Sequence, residues 1–215
     1  MARLLLTALT AVFILATPLQ AFNWSGVFSQ VQQSVVQLIS ERGSCTAFSI
    51  DQERKYYLTA AHCLSGDLTF WKEASTATGP QHAFTLVRVL VASKELDLAV
   101  LEGSEGFVAV SRGRMPRKGE EVASIGYAFG EPDPFIIGSI VAQIKEARSY
   151  ARTRVILFRD NQDIGGMSGG PVVDTRGRLV GMVQSGVTMG SQMTSIAYGT
   201  AITDLYAFTK AYWRY

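Results

Sequence analysis

The chain has 215 residues, of which 47% are hydrophobic and 18% charged, and its formal net charge is +2. This is an ordinary globular composition, and the chain is long enough to bury a sizeable core. The small net charge provides no basic footprint for nucleic acid, so we do not expect nucleic-acid binding.

The first 21 residues have the features of a secretory signal peptide. Arg3 precedes an apolar run at 4–16 that is too short to span a bilayer comfortably, and the small residue Ala21 follows it. We therefore expect cleavage after Ala21 and export of residues 22–215, with no membrane span after cleavage. Because Leu19 is larger than the residue favoured at its position, an uncleaved membrane anchor is the alternative.

After residue 33 the pattern predicts mostly strands. Residues 22–33 are compatible with a short helix or an ordered arm. Short runs rich in β-branched and aromatic residues follow, separated by turn residues, at 35–39, 45–50, 55–59, 84–91 and 98–101. A second set of strands is expected between residues 121 and 202, with a hairpin turn at 174–177. Short strands at this spacing predict antiparallel barrels.

Two further segments complete the layout. Residues 102–118 are richer in Gly, Ser and Arg, and we interpret them as the link between two barrels. Thr203 or Asp204 is predicted to cap a final helix that extends through Tyr212.

The residues of an activated nucleophile occur in the order His62, Asp97, Ser168. Ser168 lies in a glycine-rich turn, and a serine hydroxyl needs a base to take its proton as it attacks a carbonyl. His62 can act as that base, because an imidazole titrates near neutrality. Asp97 opens an apolar run in which an unpaired carboxylate would be costly, so it is the expected partner that orients His62.

The glycines around Ser168 indicate a site for an oxyanion. They let the backbone turn so that the amide N–H groups of Gly166 and Ser168 point into one small space. Each feature also has a simpler explanation: a flexible turn, a packed histidine at His62, or an acid at a strand end at Asp97.

Together these motifs resemble those of the trypsin-like serine peptidases of the chymotrypsin fold. The stretches that carry the resemblance are 59–63, 97–101 and 168–171. Other stretches are similar to the bacterial HtrA/Deg-like branch of the family, namely 122–130, 135–141, 160–170 and 172–181. The resemblance covers roughly residues 30–208. It implies an all-β fold of two six-stranded antiparallel β-barrels, at about 34–104 and 119–203, with a short C-terminal helix at about 203–213.

The resemblance also implies an activity. It predicts a serine endopeptidase that acts on protein or peptide substrates through an acyl-enzyme and needs no cofactor. It implies a pocket for the substrate residue before the cut, with these residues at its base and walls: Gln162, Asp163, Val183, Gln184, Ser185, Gly186 and Gly199. If Asp163 points inward, the pocket prefers Lys or Arg; if it points to solvent or pairs locally, it does not.

The chain departs from the family pattern in two places. Animal trypsin-like enzymes carry an aspartate before the nucleophile that pairs with a new N-terminus, and here that residue is Met167. Activation by that route is not expected. HtrA proteins usually carry a PDZ domain after the protease, and the sequence ends at Tyr215. We therefore expect neither a PDZ domain nor chaperone-like or cage-forming behaviour.

The two cysteines are Cys45 and Cys63. An even number in an exported chain favours a disulfide, and the resemblance implies a bridge between these two positions beneath the histidine. The alternative is a metal site formed with His62 and His82, but the spacing fits no standard zinc pattern, so no metal site is expected.

Two other functions stay open at this stage. One is a protease-like module that binds without cutting, because a fold does not guarantee a function. The other is an esterase, although such enzymes more often have a Gly-x-Ser-x-Gly turn and the chain order Ser, Asp, His.

Overall fold

The structure, a computed structural model, describes residues 22–76, 79–146, 154–160, 165–188 and 195–213. The expected signal peptide at 1–21 lies outside the described residues. Within those residues, no helix is long and apolar enough to cross a membrane.

Strands dominate both halves of the chain, and the predicted all-β fold is confirmed. The strands of the first half are β1 (Val35–Ser40), β2 (Gly43–Asp51), β3 (Tyr56–Thr59), β4 (Thr69–Thr76), β5 (Gly79–Leu86), β6 (Arg88–Ser93) and β7 (Leu98–Glu102). Those of the second half are β8 (Glu121–Gly126), β9 (Phe135–Glu146), β10 (Arg154–Asp160), β11 (Pro171–Asp174), β12 (Leu179–Thr188) and β13 (Ser195–Ala201). The α-helices are α1 (Ser25–Val31) and α2 (Ile202–Thr209).

In the first barrel, the two end strands of the sheet are consecutive in the sequence and are joined through the backbone, not by hydrogen bonds to each other. Its seven strands pair antiparallel in the order β5-β4-β1-β2-β3-β7-β6. The two end strands, β5 and β6, are separated only by Val87. They are therefore two parts of one bent strand, of which one part pairs with β4 and the other with β7. Counted in this way, the sheet is the predicted six-stranded barrel, and the run predicted at 84–91 is interrupted at Val87.

The second barrel is closed by hydrogen bonds, in the strand order β10-β13-β12-β11-β8-β9. The pairing of β12 with β13 shifts between Val183 and Ser185, so that Gln184 has no partner in the ladder. Such a bulge lets a strand aim a side chain in a new direction. This bulge lies next to the candidate active site.

Apolar side chains from both barrels pack in one buried cluster. It includes Leu58 and Val100 of the first barrel and Ile125 and Met182 of the second, each fully buried. Burial of this kind is the main source of folding free energy, and it fixes the two barrels against each other. Groups carried by different barrels can therefore form one rigid site.

The sequence of residues 22–33 is compatible with a short helix or an ordered arm, and the structure has the helix, α1, with Val27 and Val31 buried. The predicted hairpin turn also forms: Gly177 has a φ of +71° and donates to the Asp174 carbonyl at 2.9 Å. A β-carbon at Gly177 would lie 3.0 Å from the side-chain oxygen of Gln30, so α1 packs against this turn.

The final helix differs from its prediction at both ends. It begins at Ile202, directly after β13, and its N-cap is Ala201, which makes no side-chain capping bond. Thr203 and Asp204 therefore lie in the first turn and do not cap it. The burial of Ile202 against the core outweighs the capping preference. The helix ends at Thr209, and Tyr212 lies in the turn that follows.

Candidate active site

Two neighbouring strand ends bring His62 and Asp97 together. His62 lies in a 3₁₀ turn, Ala61–Cys63, just after β3, and Asp97 lies just before β7. Because β3 pairs with β7, with Thr59 opposite Ala99, these positions share one end of the barrel. His62 Nδ1 is 2.7 Å from Asp97 Oδ2, and the His62 main-chain N–H donates to Asp97 Oδ1 at 2.8 Å.

The backbone of Asp97 adopts a left-handed conformation, with φ +52°. Aspartate is one of the few non-glycine residues that tolerate this region, and the conformation still stores some strain. The two hydrogen bonds from His62 help to hold it in place. The side chain of Asp97 is 26% exposed and that of His62 46%, so the imidazole stays open to an approaching molecule.

The turn at residues 165–170 brings the backbone of Ser168 against β2 and close to Cys63, the residue after His62. The main-chain carbonyl of Ser168 accepts a hydrogen bond from the Thr46 N–H of β2 at 2.8 Å. It also lies 3.8 Å from the sulfur of Cys63, the residue after His62. Met167, which precedes Ser168, is fully buried in the apolar cluster of the second barrel.

The Ser168 hydroxyl does not point to His62. It donates to the main-chain carbonyl of Gln184 at 3.0 Å, and no hydrogen bond joins Ser168 to His62 in the described part of the chain. The oxygen can leave Gln184 by rotation about the Cα–Cβ bond of Ser168, which does not require the backbone to move.

Two peptide groups in the turn direct their N–H groups away from the hydrogen bonds that their carbonyl groups accept. The Gly165 carbonyl accepts from the Phe129 N–H at 2.7 Å, and the Met167 carbonyl accepts from the Gly170 N–H at 2.9 Å. In a trans peptide the N–H points away from the C=O, so the amides of Gly166 and Ser168 point away from these partners. As far as the structure describes the chain, neither amide donates a hydrogen bond. These are the two amides predicted to bind an oxyanion.

Glycine is required in this turn for steric reasons. Gly166 has a φ of +93°, and a β-carbon there would lie 2.3 Å from the Tyr127 carbonyl oxygen. The segment after β8 can approach the turn this closely only because position 166 has no side chain.

The predicted pocket is described only in part. Gln162 and Asp163 lie outside the described residues. Val183 is buried and pairs with Gly199 across β12 and β13. The strand continues through Ser185 and Gly186, which pair with Tyr198 and Ala197. The amide of Gln184 donates to the Leu96 carbonyl at 3.0 Å, so this side chain contacts the loop that carries Asp97.

A disulfide joins Cys45 to Cys63, with their Cα atoms 6.1 Å apart. It links β2 to the turn that carries His62. The ligand atoms of Cys45, His62 and Cys63 lie within 4.8 Å of one another. Because the two sulfurs are bonded together, neither is available as a thiolate ligand, and this group is not a metal site in the oxidised protein.

Sequence reasoning did not single out Thr46, Phe129 or the contact of Gln184 with Leu96. All three depend on hydrogen bonds between residues that are far apart in the sequence. The nearest available signal was the position of Thr46 directly after Cys45 in a predicted strand.

Comparisons with known proteins agree with this architecture. The family described as trypsin-like peptidase domain matches residues 45–182, which is more than half of the chain. No curated protein sequence matches the chain.

Solved structures show the same fold at low sequence identity. The active form of the Rv3671c protease from M. tuberculosis is 19% identical with a TM-score of 0.70, over 97% of this chain and 93% of that one. Deg5 is 18% identical with a TM-score of 0.68, over 85% and 90% of the two chains. The HtrA-type protease AlgW, solved with a decapeptide, is 17% identical with a TM-score of 0.70, over 88% of this chain and 67% of that one.

Proposed function

We propose that this chain, which belongs to the trypsin-like peptidase family, is an exported serine endopeptidase. The observation that carries this proposal is the pairing of His62 with Asp97 beside a turn that presents Ser168. A base fixed by a carboxylate next to a serine is the arrangement that activates a hydroxyl for attack.

The reaction follows from the roles of these groups. Ser168 Oγ attacks the carbonyl carbon of the scissile bond while His62 Nε2 takes the hydroxyl proton. The carbonyl oxygen becomes an oxyanion that accepts hydrogen bonds from the amides of Gly166 and Ser168. His62 then gives the proton to the leaving amine, and the acyl-enzyme is hydrolysed by water. Throughout, Asp97 accepts the hydrogen bond from the His62 Nδ1–H group and stabilises the imidazolium.

In the proposed mechanism, the hydrogen bond from the Ser168 hydroxyl to the Gln184 carbonyl belongs to the resting enzyme. Before the reaction, the hydroxyl must rotate so that its hydrogen-bond acceptor becomes His62 Nε2 and no longer the Gln184 carbonyl. The net contribution of such a bond is about 1 kcal/mol, so the exchange is a minor step compared with the chemistry. The same bond is the observation that favours the second candidate, a latent module that binds peptides without cutting them.

Two features support export. The bridge between Cys45 and Cys63 would persist in an oxidising compartment, and such compartments lie outside the cytosol of most cells. The segment at 1–21 has the composition of a signal peptide.

A preference of the pocket for a basic residue would require Asp163 to point inward. If Asp163 faces the pocket, a substrate residue with a positive charge is favoured. Peptides that differ only in Arg or Leu before the cut should then be cleaved at different rates. Equal rates would exclude a role for Asp163 in specificity.

The function is tested with a fluorophosphonate probe and casein, on residues 22–215 with the disulfide oxidised. The matched variants are Ser168→Ala and Ser139→Ala. In the described chain the buried Ser139 hydroxyl has no partner, so its removal should be harmless. We expect labelling and casein cleavage in the wild type and in Ser139→Ala, and neither in Ser168→Ala.

Other results point to the rival functions. A folded wild type that is not labelled would contradict the proposal and favour the latent module. Hydrolysis of small esters with no cleavage of any peptide would favour an esterase.

A further inference from the structure

We propose that Thr46 is a positioning residue that holds the candidate oxyanion turn in place from the first barrel. This inference rests on the proposed function, because it concerns the same reaction. Thr46 lies in β2, whereas the turn belongs to the second barrel.

Four hydrogen bonds converge on Thr46. Its main-chain N–H donates to the Ser168 carbonyl at 2.8 Å, and its own carbonyl accepts from the Thr59 hydroxyl at 2.7 Å. Its side-chain Oγ1 donates to the Gly166 carbonyl at 3.0 Å and accepts from the Tyr127 N–H at 2.9 Å. The hydroxyl therefore uses its proton on the turn and a lone pair on the segment after β8.

The second barrel is shaped to receive this residue. Thr46 is fully buried. A β-carbon at Gly126 would lie 2.5 Å from Thr46 Oγ1, and one at Gly169 would lie 2.2 Å from the Thr46 carbonyl oxygen. Both approaches are possible only because these positions are glycine. A buried hydroxyl with satisfied partners fixes the relative position of the groups it joins.

These bonds lie on both sides of the two candidate donor amides. Thr46 holds the carbonyls of Gly166 and Ser168, the residues whose N–H groups are the candidate donors. It also holds Tyr127, two residues before Phe129, whose N–H orients the Gly165 carbonyl. Without the hydroxyl, the turn and the segment after β8 lose their common partner. Catalysis is sensitive to such displacements, since an error of about 1 Å can cost about a hundredfold in rate.

The test compares Thr46→Val with Thr46→Ser. Valine keeps the shape and removes the hydroxyl, whereas serine keeps the hydroxyl and removes a methyl group. Thr209→Val is the matched control: Thr209 is also fully buried, and its hydroxyl donates at 2.7 Å to the Leu205 carbonyl within α2. Each purified variant is assayed for kcat and KM with one peptide substrate and for its rate of fluorophosphonate labelling.

We expect kcat and the labelling rate of Thr46→Val to fall about a hundredfold, with KM within about threefold of the wild type. A lower kcat with an almost unchanged KM means that an interaction made in the transition state is lost. Thr46→Ser should keep kcat within about threefold, as should Thr209→Val.

Three results would overturn the inference. These are a folded Thr46→Val with wild-type kcat, a loss confined to KM, or a Thr46→Ser variant as slow as the valine variant. If Thr46→Val does not fold, the serine variant still decides, because the inference requires it to keep wild-type kcat. Failure of the proposed function is distinguishable, because the wild type itself would then show no turnover and no labelling.

Discussion

Asp97 accepts two hydrogen bonds from His62, one from the ring Nδ1 at 2.7 Å and one from the main-chain N–H at 2.8 Å. The carboxylate therefore fixes both the ring and the backbone that carries it. With Nδ1 occupied in this way, Nε2 is the ring nitrogen left to accept a proton. The tautomer and the position of the base are thus set by one residue.

Replacement of Asp97 by asparagine should abolish most activity and leave the fold intact. Asparagine also tolerates the left-handed backbone at φ +52°, so the loop should keep its shape. Its amide cannot stabilise the imidazolium and favours the wrong tautomer of His62. We expect kcat to fall by about 10⁴.

The measurement is kcat on a peptide substrate together with the unfolding temperature. Asp204→Asn, in helix α2, makes the same chemical change on a different element and should keep full activity. A kcat of Asp97→Asn within about tenfold of the wild type would show that Asp97 does not support the base.

Replacing either of two glycines in the turn at 165–170 by alanine should change the stability of the protein by very different amounts. Gly169 has a φ of +83°, and a β-carbon there would lie 2.2 Å from the Thr46 carbonyl oxygen and 2.3 Å from Thr59 Oγ1. A β-carbon at Gly165 would have no atom of the described residues within 4 Å. We expect Gly169→Ala to destabilise the protein by more than about 3 kcal/mol and Gly165→Ala by less than about 0.5 kcal/mol.

Chemical denaturation of the two variants measures this difference. A small change in unfolding free energy for Gly169→Ala would mean that the barrels can separate locally at this point. Activity is not the readout here, because Gly165 belongs to the peptide group whose N–H is a candidate donor.

The parts of the structure that could be predicted have local patterns. Short β-branched runs marked most strands of the first barrel, and a glycine at a positive φ marked the turn at Gly177. The disulfide between Cys45 and Cys63 was favoured by the even number of cysteines and implied by the resemblance to the family. His62, Asp97 and Ser168 could be selected because each lies in a motif of several residues.

The parts that could not be predicted depend on contacts between distant residues. Thr46 is an ordinary strand residue in the sequence, and its hydroxyl partner Gly166 is 120 residues away. The start of α2 at Ile202 reflects burial rather than capping. The direction of the Ser168 hydroxyl depends on a bulge in β12, which no local pattern indicated.

Removal of the disulfide should lower stability without changing the fold. The two cysteines are 18 positions apart, and closing a loop of this length stabilises a protein by about 3 kcal/mol in the chain-entropy model. We expect the double variant Cys45→Ala/Cys63→Ala to unfold about 6–12 °C below the wild type.

The control is the wild-type protein treated with a reducing agent. Its unfolding temperature should approach that of the double variant. Equal unfolding temperatures for oxidised wild type and the double variant would show that the bridge adds no net stability.

The hairpin turn after β11 should make stability depend on pH in the acid range. Burial of Asp174 acts to raise its pKa, but hydrogen bonds from the Arg178 guanidinium and from the main-chain N–H groups of Arg178 and Arg176 outweigh it, so the pKa is lowered. A carboxyl whose pKa is lower in the folded state stabilises the protein above its unfolded value of about 3.9. This contribution is lost as the pH falls through the folded value.

Asp174→Asn should therefore be less stable than the wild type at pH 7, by about 1 kcal/mol because the turn is partly exposed. The difference should shrink below about pH 4, where the wild-type carboxyl takes up its proton. Urea unfolding at pH 7 and at about pH 3 measures the difference in stability between the wild type and Asp174→Asn. The control is Asp133→Asn, which makes the same change at an exposed acid. A difference that stays constant over this range would mean that the charge of Asp174 does not stabilise the hairpin.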